Sequence, residues 1–426
     1  MEVILPVKFG WRNLWRRPRE TLLTALALGL GLTLLLISRG LLDGSHEQLV
    51  DNAVRFGTGH VVIQAQGYQG SASSQLMLPA PVVSATGEFL HTEAVKHVLR
   101  GMSPRLLVSG LLSSAGNGSG VGIMGVIPAE ERNVSLIPKR IVEGSYLKDG
   151  QQSGVVIGAE LARKLDVKVG AKVVLMTQAV QLPGAEATDT GGGEMRSTLV
   201  RVSGVFRTGI QAIDAHVIQL PLPELQALLR VPDRVTQVAV LLEREGDSLM
   251  VAQGLRKQLT GAPVEILPWR EAMPALAQSL LLDDAFNYVM NGVVLAMVGL
   301  GILNTFLMRV IERRYEFGLC LAMGLRPVQL AVMIIGESLA LTAISLALGL
   351  VLGLSVQHYF ATAGLDLRLF FESRLPSALV FDPIIYSRLT LARIASSVCI
   401  VFLTATVISF YPALKAARTQ LPGALH

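Results

Sequence analysis

Four stretches of the chain are predominantly apolar, and each is near or beyond the roughly 20 residues that a membrane-spanning helix needs. Residues 21–38, 285–308 and 394–414 hold no charge, and residues 327–357 hold one, Glu337. A fifth uncharged stretch, 106–129, is broken by Ser113-Ser114-Ala115-Gly116-Asn117-Gly118-Ser119-Gly120. That composition makes a turn between two short strands rather than a span. The pattern predicts a membrane α-helical fold with four transmembrane helices, at 21–42, 285–309, 328–356 and 394–411. The first run lacks a small-x-small cleavage site followed by a polar start, so it reads as a retained anchor.

Short loops rich in Lys and Arg stay in the cytoplasm. Lys8, Arg12, Arg16, Arg17 and Arg19 precede the first span. Arg309, Arg313, Arg314 and Arg326 lie between the second and third, and Lys415 and Arg418 follow the fourth. With four spans these clusters share one side, so segments 1–20, 310–327 and 412–426 are expected in the cytoplasm. Residues 43–284 and the shorter loop 357–393 are then outside. In 1–20, Trp11, Leu14 and Trp15 among five basic side chains describe an interfacial helix, either a topology anchor or one that also slides.

Residues 43–284 read as a large α/β extracytoplasmic domain inserted between helices 1 and 2. His60–Gln64, Gly154–Gly158, Lys172–Met176, Leu199–Phe206 and Val235–Leu242 have strand patterning, and Ala159–Leu165 and Pro223–Leu229 read as helices. Residues 181–196, rich in Gly, Pro, Thr and acids, form a long hairpin loop between two strands. It is expected to be either a disordered tip or a protruding hairpin that docks a partner. The stretches 41–55 and 272–287 predict helices that continue out of the first span and into the second.

Composition sharpens this picture. Charged residues make up 16% of the chain, against about 25% in ordinary globular proteins. The hydrophobic share is 51% and mean hydropathy is +0.50, which excludes disorder for most of the chain. The net charge of +5 is scattered, so no nucleic-acid partner is expected. The two cysteines, Cys320 and Cys399, cannot make a disulfide framework.

No catalytic constellation is visible. The chain has no G-x-x-x-x-G-K-[ST] phosphate loop, no G-x-S-x-G elbow and no H-E-x-x-H. His91 and His97 are too far apart to stack as ligands on one helix face. The expectation is a chain without catalytic or metal-binding residues and without a bound cofactor.

Three motifs are specific. The second-to-third span connection reads Val310-Ile311-Glu312-Arg313-Arg314-Tyr315-Glu316-Phe317-Gly318-Leu319-Cys320-Leu321-Ala322-Met323-Gly324. The C-terminus reads Tyr411-Pro412-Ala413-Leu414-Lys415-Ala416-Ala417-Arg418, then Pro422-Gly423-Ala424-Leu425. The start reads Trp11-Arg12-Asn13-Leu14-Trp15-Arg16-Arg17-Pro18-Arg19-Glu20-Thr21. In this order around one large external domain, they resemble ABC transporter permeases of the MacB/LolE/FtsX superfamily, the mechanotransmission type. Val155–Ala162, Ser203–Gly209 and Trp269–Phe286 lean toward its LolC/LolE-like branch.

The resemblance implies a location in the bacterial inner membrane and a coupling helix that contacts a separate cytoplasmic ABC ATPase. That partner would hold the ATP-Mg. On this chain the coupling residues are Glu312, Arg313, Arg314, Glu316, Phe317, Gly318, Met323 and Gly324. The interleaved charges would orient docking, with Phe317 and Met323 as buried anchors. Further implied partners are a second permease, copy or paralogue, a periplasmic carrier or adaptor, and membrane lipids. The work done would be extraction or export of a lipoprotein or other amphiphile. The alternatives are an FtsX-like regulator that activates a cell-wall hydrolase, or a MacB-like efflux permease.

Polar groups inside spans are costly and informative. Glu337 lies about 16 Å beyond Arg326 along a helix, well inside the bilayer unless that helix starts deeper. It is expected to bond between helices, or to serve coupling or substrate. Asn287, Asn291 and Asn304 are expected to cross-link helices by hydrogen bonds. Gly349 and Gly353 form a GxxxG pair that suits close helix approach.

Overall fold

The computed structural model describes residues 18–71, 73–150, 153–180, 194–366 and 384–417. Residues 1–17, 181–193, 367–383 and 418–426 fall outside them, and with them the expected interfacial helix and most of the expected hairpin loop. In chain order we label α1 (Pro18–Phe56), β1 (Val61–Ala65), α2 (Ala80–Leu90), β2 (Leu99–Ser113), β3 (Gly118–Val126) and α3 (Pro128–Val134). Then come β4 (Ile141–Gly144), β5 (Gly154–Gly158), α4 (Ala159–Leu165), β6 (Lys172–Gln178), β7 (Met195–Phe206), β8 (Val217–Pro221) and α5 (Leu222–Leu229). The last are β9 (Gln237–Leu242), α6 (Ser248–Gln258), β10 (Val264–Pro268), α7 (Pro274–Glu312), α8 (Arg314–Ala322), α9 (Pro327–Thr362) and α10 (Leu391–Ala417).

The chain divides into two units. Among the described residues, one comprises 48–279; the other holds the helical residues on either side of it in sequence.

In the α/β unit the ten strands form one sheet, ordered β10-β1-β9-β2-β3-β8-β5-β7-β4, with β6 pairing both β2 and β7. Pairings β2-β3-β8-β5-β7-β6 thus return to β2 and close a six-stranded ring. Alternate residues on these strands bury together: Val121 and Ile123, Ile218 and Leu220, Val155 and Ile157, Val173 and Leu175, Val200 and Val202. That period of two is what lets a closed sheet fill its own interior. The decoy stretch 106–129 is here the β2–β3 hairpin, and β6 pairs with β7 across the expected loop, Gln178 opposite Met195. β1 and β9 are buried along their whole length, as strands covered on both faces must be.

At the entry to β1, His60 is buried, and the Leu242 amide donates to its Nδ1 at 3.0 Å. Burial pushes the imidazole pKa down, and the Leu242 N–H occupies the nitrogen a second proton would take. Below about pH 6.5 the unfolded chain gains a proton that the folded imidazole refuses. Stability is therefore present above that value and is lost as pH falls, levelling off at the depressed folded pKa. Acidification from about pH 7 to about pH 5 should lower the unfolding temperature more in the wild type than in His60→Gln. Fluorescence of Trp269, whose amide donates to the His60 carbonyl at 2.9 Å, reports it. Equal shifts would show that His60 is not the group responsible.

In the other unit, four helices are long and apolar enough to cross a membrane: residues 21–56, 274–312, 327–362 and 391–416. α1 runs unbroken to Phe56 and α7 begins at Pro274, the continuing helices expected from 41–55 and 272–287. Ala25 and Leu28 pack with Ile302, Phe306, Leu341 and Ala405. The GxxxG pair is used: a Cβ on Gly349 would lie 2.6 Å from the Gly29 carbonyl oxygen, and one on Gly353 would lie 2.8 Å from Leu36. Thr33 Oγ1 donates to the Gly349 carbonyl at 3.1 Å in the same crossing. Near residue 43, Arg393 meets Asp43 at 3.4 Å, and His46 faces Asp283 and Asp284 at 3.8 and 3.7 Å.

The asparagines behave otherwise than expected. Asn287 Nδ2 donates to the Asp283 carbonyl of its own helix at 2.8 Å. Asn304 lies on the exposed side of α7, and Asn291 is half-buried. Among the described residues none of the three bonds to a neighbouring helix. A helix carbonyl keeps a second lone pair that a side chain one turn on can bond, so a polar residue in a span need not be a cross-link.

Candidate functional site

The conspicuous chemistry of the membrane unit gathers at the corner between α7 and α9. α7 ends at Glu312 and α8 begins at Arg314, with Arg313 between them outside helical geometry. α8 is nine residues long and stops before Gly324, whose φ of +97° is a left-handed turn suited to glycine. Arg326 then caps α9, with Pro327 as its first residue.

Glu337 is where the corner is tied. Arg313 Nη1 donates to its Oε2 at 3.0 Å, and Arg309 Nη1 approaches Oε1 at 3.9 Å. Arg313 Nε also donates to Glu316 Oε2 at 2.9 Å, and its guanidinium lies 5.2 Å from the Phe317 ring centroid. The side chains of Arg309, Arg313 and Glu337 are 16%, 19% and 13% exposed. Glu337 is about 15 Å along α9 from Pro327, yet it meets residues at the very end of α7. α9 therefore begins about ten residues beyond the level where α7 stops, and Glu337 is paired rather than isolated.

Phe317 corrects an expectation. It is 4% exposed and packs with Val310, Leu330, Ile334, Ala413 and Ala416 of its own chain. A side chain so enclosed is not free to insert into another protein. It instead brings the span-connection motif and the C-terminal motif together, since Ala413 and Ala416 follow Tyr411-Pro412 on α10. Gly318 is buried beside it. The outward face of the corner carries Glu312, Arg314, Glu316 and Gly324, with Met323 73% exposed. It also carries Tyr315 and Leu319, 63% and 49% exposed, which the sequence reading had not singled out. Arg309, taken from sequence only as a topology signal, belongs to the charge cluster. Among the described residues, no group of three or more His, Cys, Asp or Glu side chains is placed to hold a metal ion.

Four candidate spans with a large α/β domain inserted between the first two define a class of ABC transporter permease. A family model of the FtsX-like permease C-terminal domain matches residues 288–421, and one of the MacB-like periplasmic core domain matches residues 21–258. The chain belongs to the MacB/LolE/FtsX superfamily of ABC transporter permeases. It is 23% identical over 345 residues to the lipoprotein-releasing system transmembrane protein LolC of Neisseria meningitidis serogroup B, covering 78% of this chain and 79% of that one. It is 22% identical over 327 residues to the lipoprotein-releasing system transmembrane protein LolE of Haemophilus influenzae, covering 76% of each. The periplasmic region of MacB from Actinobacillus actinomycetemcomitans aligns at a TM-score of 0.36 and 12% identity, covering 55% of this chain and 97% of that one.

Proposed function

We propose that this chain is the membrane subunit of an ABC transporter and turns ATP hydrolysis by a separate cytoplasmic ATPase into movement of its α/β domain. The cargo is an amphiphile, a lipoprotein foremost, drawn from the outer leaflet of a bacterial inner membrane. In this reading the α7–α9 corner and both termini are cytoplasmic and residues 43–284 lie outside, which the clustering of Lys and Arg supports. The subunit works as a pair with a second permease, while ATP-Mg stays on the partner ATPase.

The observation that carries this reading is the two-sided corner. Its inner side is bolted to α9 and α10 through Glu337 and Phe317. Its outer side presents Tyr315, Leu319 and Met323 among Glu312, Arg314 and Glu316. Exposed apolar side chains ringed by both signs of charge suit a docking surface, and a rigid seat lets a push on that surface reach two helices.

The complex purified from native membranes tests it. Replacing Tyr315, Leu319 and Met323 together by serine should strip the ATPase from the permease and leave its unfolding temperature unchanged. Phe317→Ala should do the reverse, keeping the docking face and lowering stability by about 3–5 kcal/mol through an unfilled core site. A triple variant that still retains a full complement of ATPase would show that the corner is not where the enzyme docks.

A further inference from the structure

The α/β unit contains a charge pair that the coupling corner does not use. Arg105 on β2 and Glu131 on α3 are both completely buried. Arg105 Nε and Nη2 donate to the two Glu131 oxygens, each at 2.9 Å. Ser103 Oγ donates to Oε2 at 2.7 Å and Gln219 Nε2 to Oε1 at 3.4 Å, while the Tyr146 hydroxyl donates to Gln219 Oε1 at 2.9 Å. Withdrawing two charges from water is expensive, and well-packed apolar residues in their place are often neutral or stabilising. Cohesion alone is therefore a weak reason for this pair.

The remaining arm of Arg105 supplies a better one. Its Nη1 donates to the carbonyl oxygen of Gly57, the first residue after α1. A helix C-terminus ends in unpaired carbonyls and a partial negative charge, and a fixed cation there is favourable. A second carbonyl nearby in sequence to the other long helix is held in the same manner. Gln69 Nε2 donates to the Ala272 carbonyl at 2.9 Å, two residues before α7 begins. β1, which follows α1, and β10, which precedes α7, pair along their length, Val61 opposite Pro268 to Ala65 opposite Val264. The chain leaving α1 and the chain entering α7 thus converge on one strand pair, each gripped at a main-chain carbonyl.

We infer that Arg105 is a positioning residue of the transport cycle. Glu131 anchors it, and it holds the end of α1 to β2, so that displacement of α1 enters the sheet at β2 and α3. An apolar contact at Gly57 could slide. A guanidinium fixed by a bidentate carboxylate cannot follow a sliding helix without leaving a buried charge unpaired. The inference rests on the ATP-coupled reading above.

The test is amide hydrogen exchange on the full chain copurified with its ATPase, with and without a non-hydrolysable ATP analogue. In the wild type the analogue should change exchange both at 310–327 and along 99–134. In Arg105→Met with Glu131→Leu, which replaces the pair by apolar side chains of similar bulk, the change along 99–134 should be lost and that at 310–327 kept. The unfolding temperature and the nucleotide-free exchange should match the wild type, which a merely structural role would not predict. If that variant fails to fold, Arg105→Lys decides by the same readout, because it keeps a charge beside Glu131 but lacks the fork that reaches Gly57. A nucleotide response along 99–134 that survives either replacement overturns the inference alone. A wild type that responds at 310–327 but not along 99–134 also overturns it alone. A wild type with no response at 310–327 overturns the coupling reading, and the inference with it.

Discussion

Replacing Glu337 by alanine should release the α7–α9 corner and abolish ATP-driven work. Two arginine side chains, each less than one-fifth exposed, would lose the carboxylate they converge on. Removing one partner of a buried ion pair costs about 3–5 kcal/mol, because the charge left behind is poorly compensated. Glu316 remains beside Arg313 but is half exposed, so it recovers little. The chain carries its own reporters. Cys320, half-buried on α8, should be alkylated faster once α8 is unlatched, while Cys399, already exposed on α10, should react as before. Glu337→Asp, which keeps the charge on a shorter arm, should restore part of the protection, and Glu337→Gln less. Wild-type alkylation of Cys320 together with wild-type stability in Glu337→Ala would show that the pair does not hold the corner.

The parts of this molecule legible in its sequence are those that depend on local pattern. An uncharged run of about 20 residues marks a span where turn residues do not break it, and the four long apolar helices overlap the runs that meet this test. Alternation of Val200 and Val202 with Arg201 and Ser203 marks a strand with one buried face, and the unbroken apolar run Val155–Ile157 marks one buried on both. What pattern leaves open is which elements meet. Closure of the six-stranded ring needs parallel pairs between β3 and β8 and between β5 and β7, joined by long crossings that leave no trace in neighbouring residues.

The corner shows the same limit. α8 is too short for its period to tell an inward Phe317 from an outward one, and the residues that enclose Phe317 come from α7, α9 and α10. From sequence, Glu337 is expected to bond between helices but its partners go unnamed, because Arg309 and Arg313 stand at and just beyond the end of the preceding span and already account for topology. A signal was nevertheless present: two consecutive spans joined by a short segment are antiparallel, so the basic end of one faces the opening turns of the next. An acid in those turns has cations opposite. Arg105 and Glu131, by contrast, sit 26 residues apart on a strand and a helix, and no sequence spacing marks them as a pair.

Gly349→Val should prevent the membrane unit from assembling, because at this crossing backbone meets backbone. The added Cβ alone would lie 2.6 Å from the Gly29 carbonyl oxygen and 2.9 Å from the Gly29 Cα. Neither atom belongs to a side chain that can turn aside. α1 and α9 would have to separate, breaking the Thr33–Gly349 hydrogen bond and unpacking Leu32 and Leu36, which are fully buried. Small residues at such contacts are what allow helices to associate where lipid removes the hydrophobic drive. The expected result is loss of monodisperse chain after detergent extraction, with Gly349→Ala intermediate. Gly301 supplies the control, since a Cβ there meets nothing within 4 Å. Alanine at a helix interior is favoured over glycine by about 1 kcal/mol, so Gly301→Ala should be neutral or slightly stabilising in the same preparation. The two substitutions differ in what the new carbon touches, which makes their contrast a measurement of the crossing itself. If Gly349→Val extracts as well as Gly301→Ala, then α1 and α9 do not meet at these glycines.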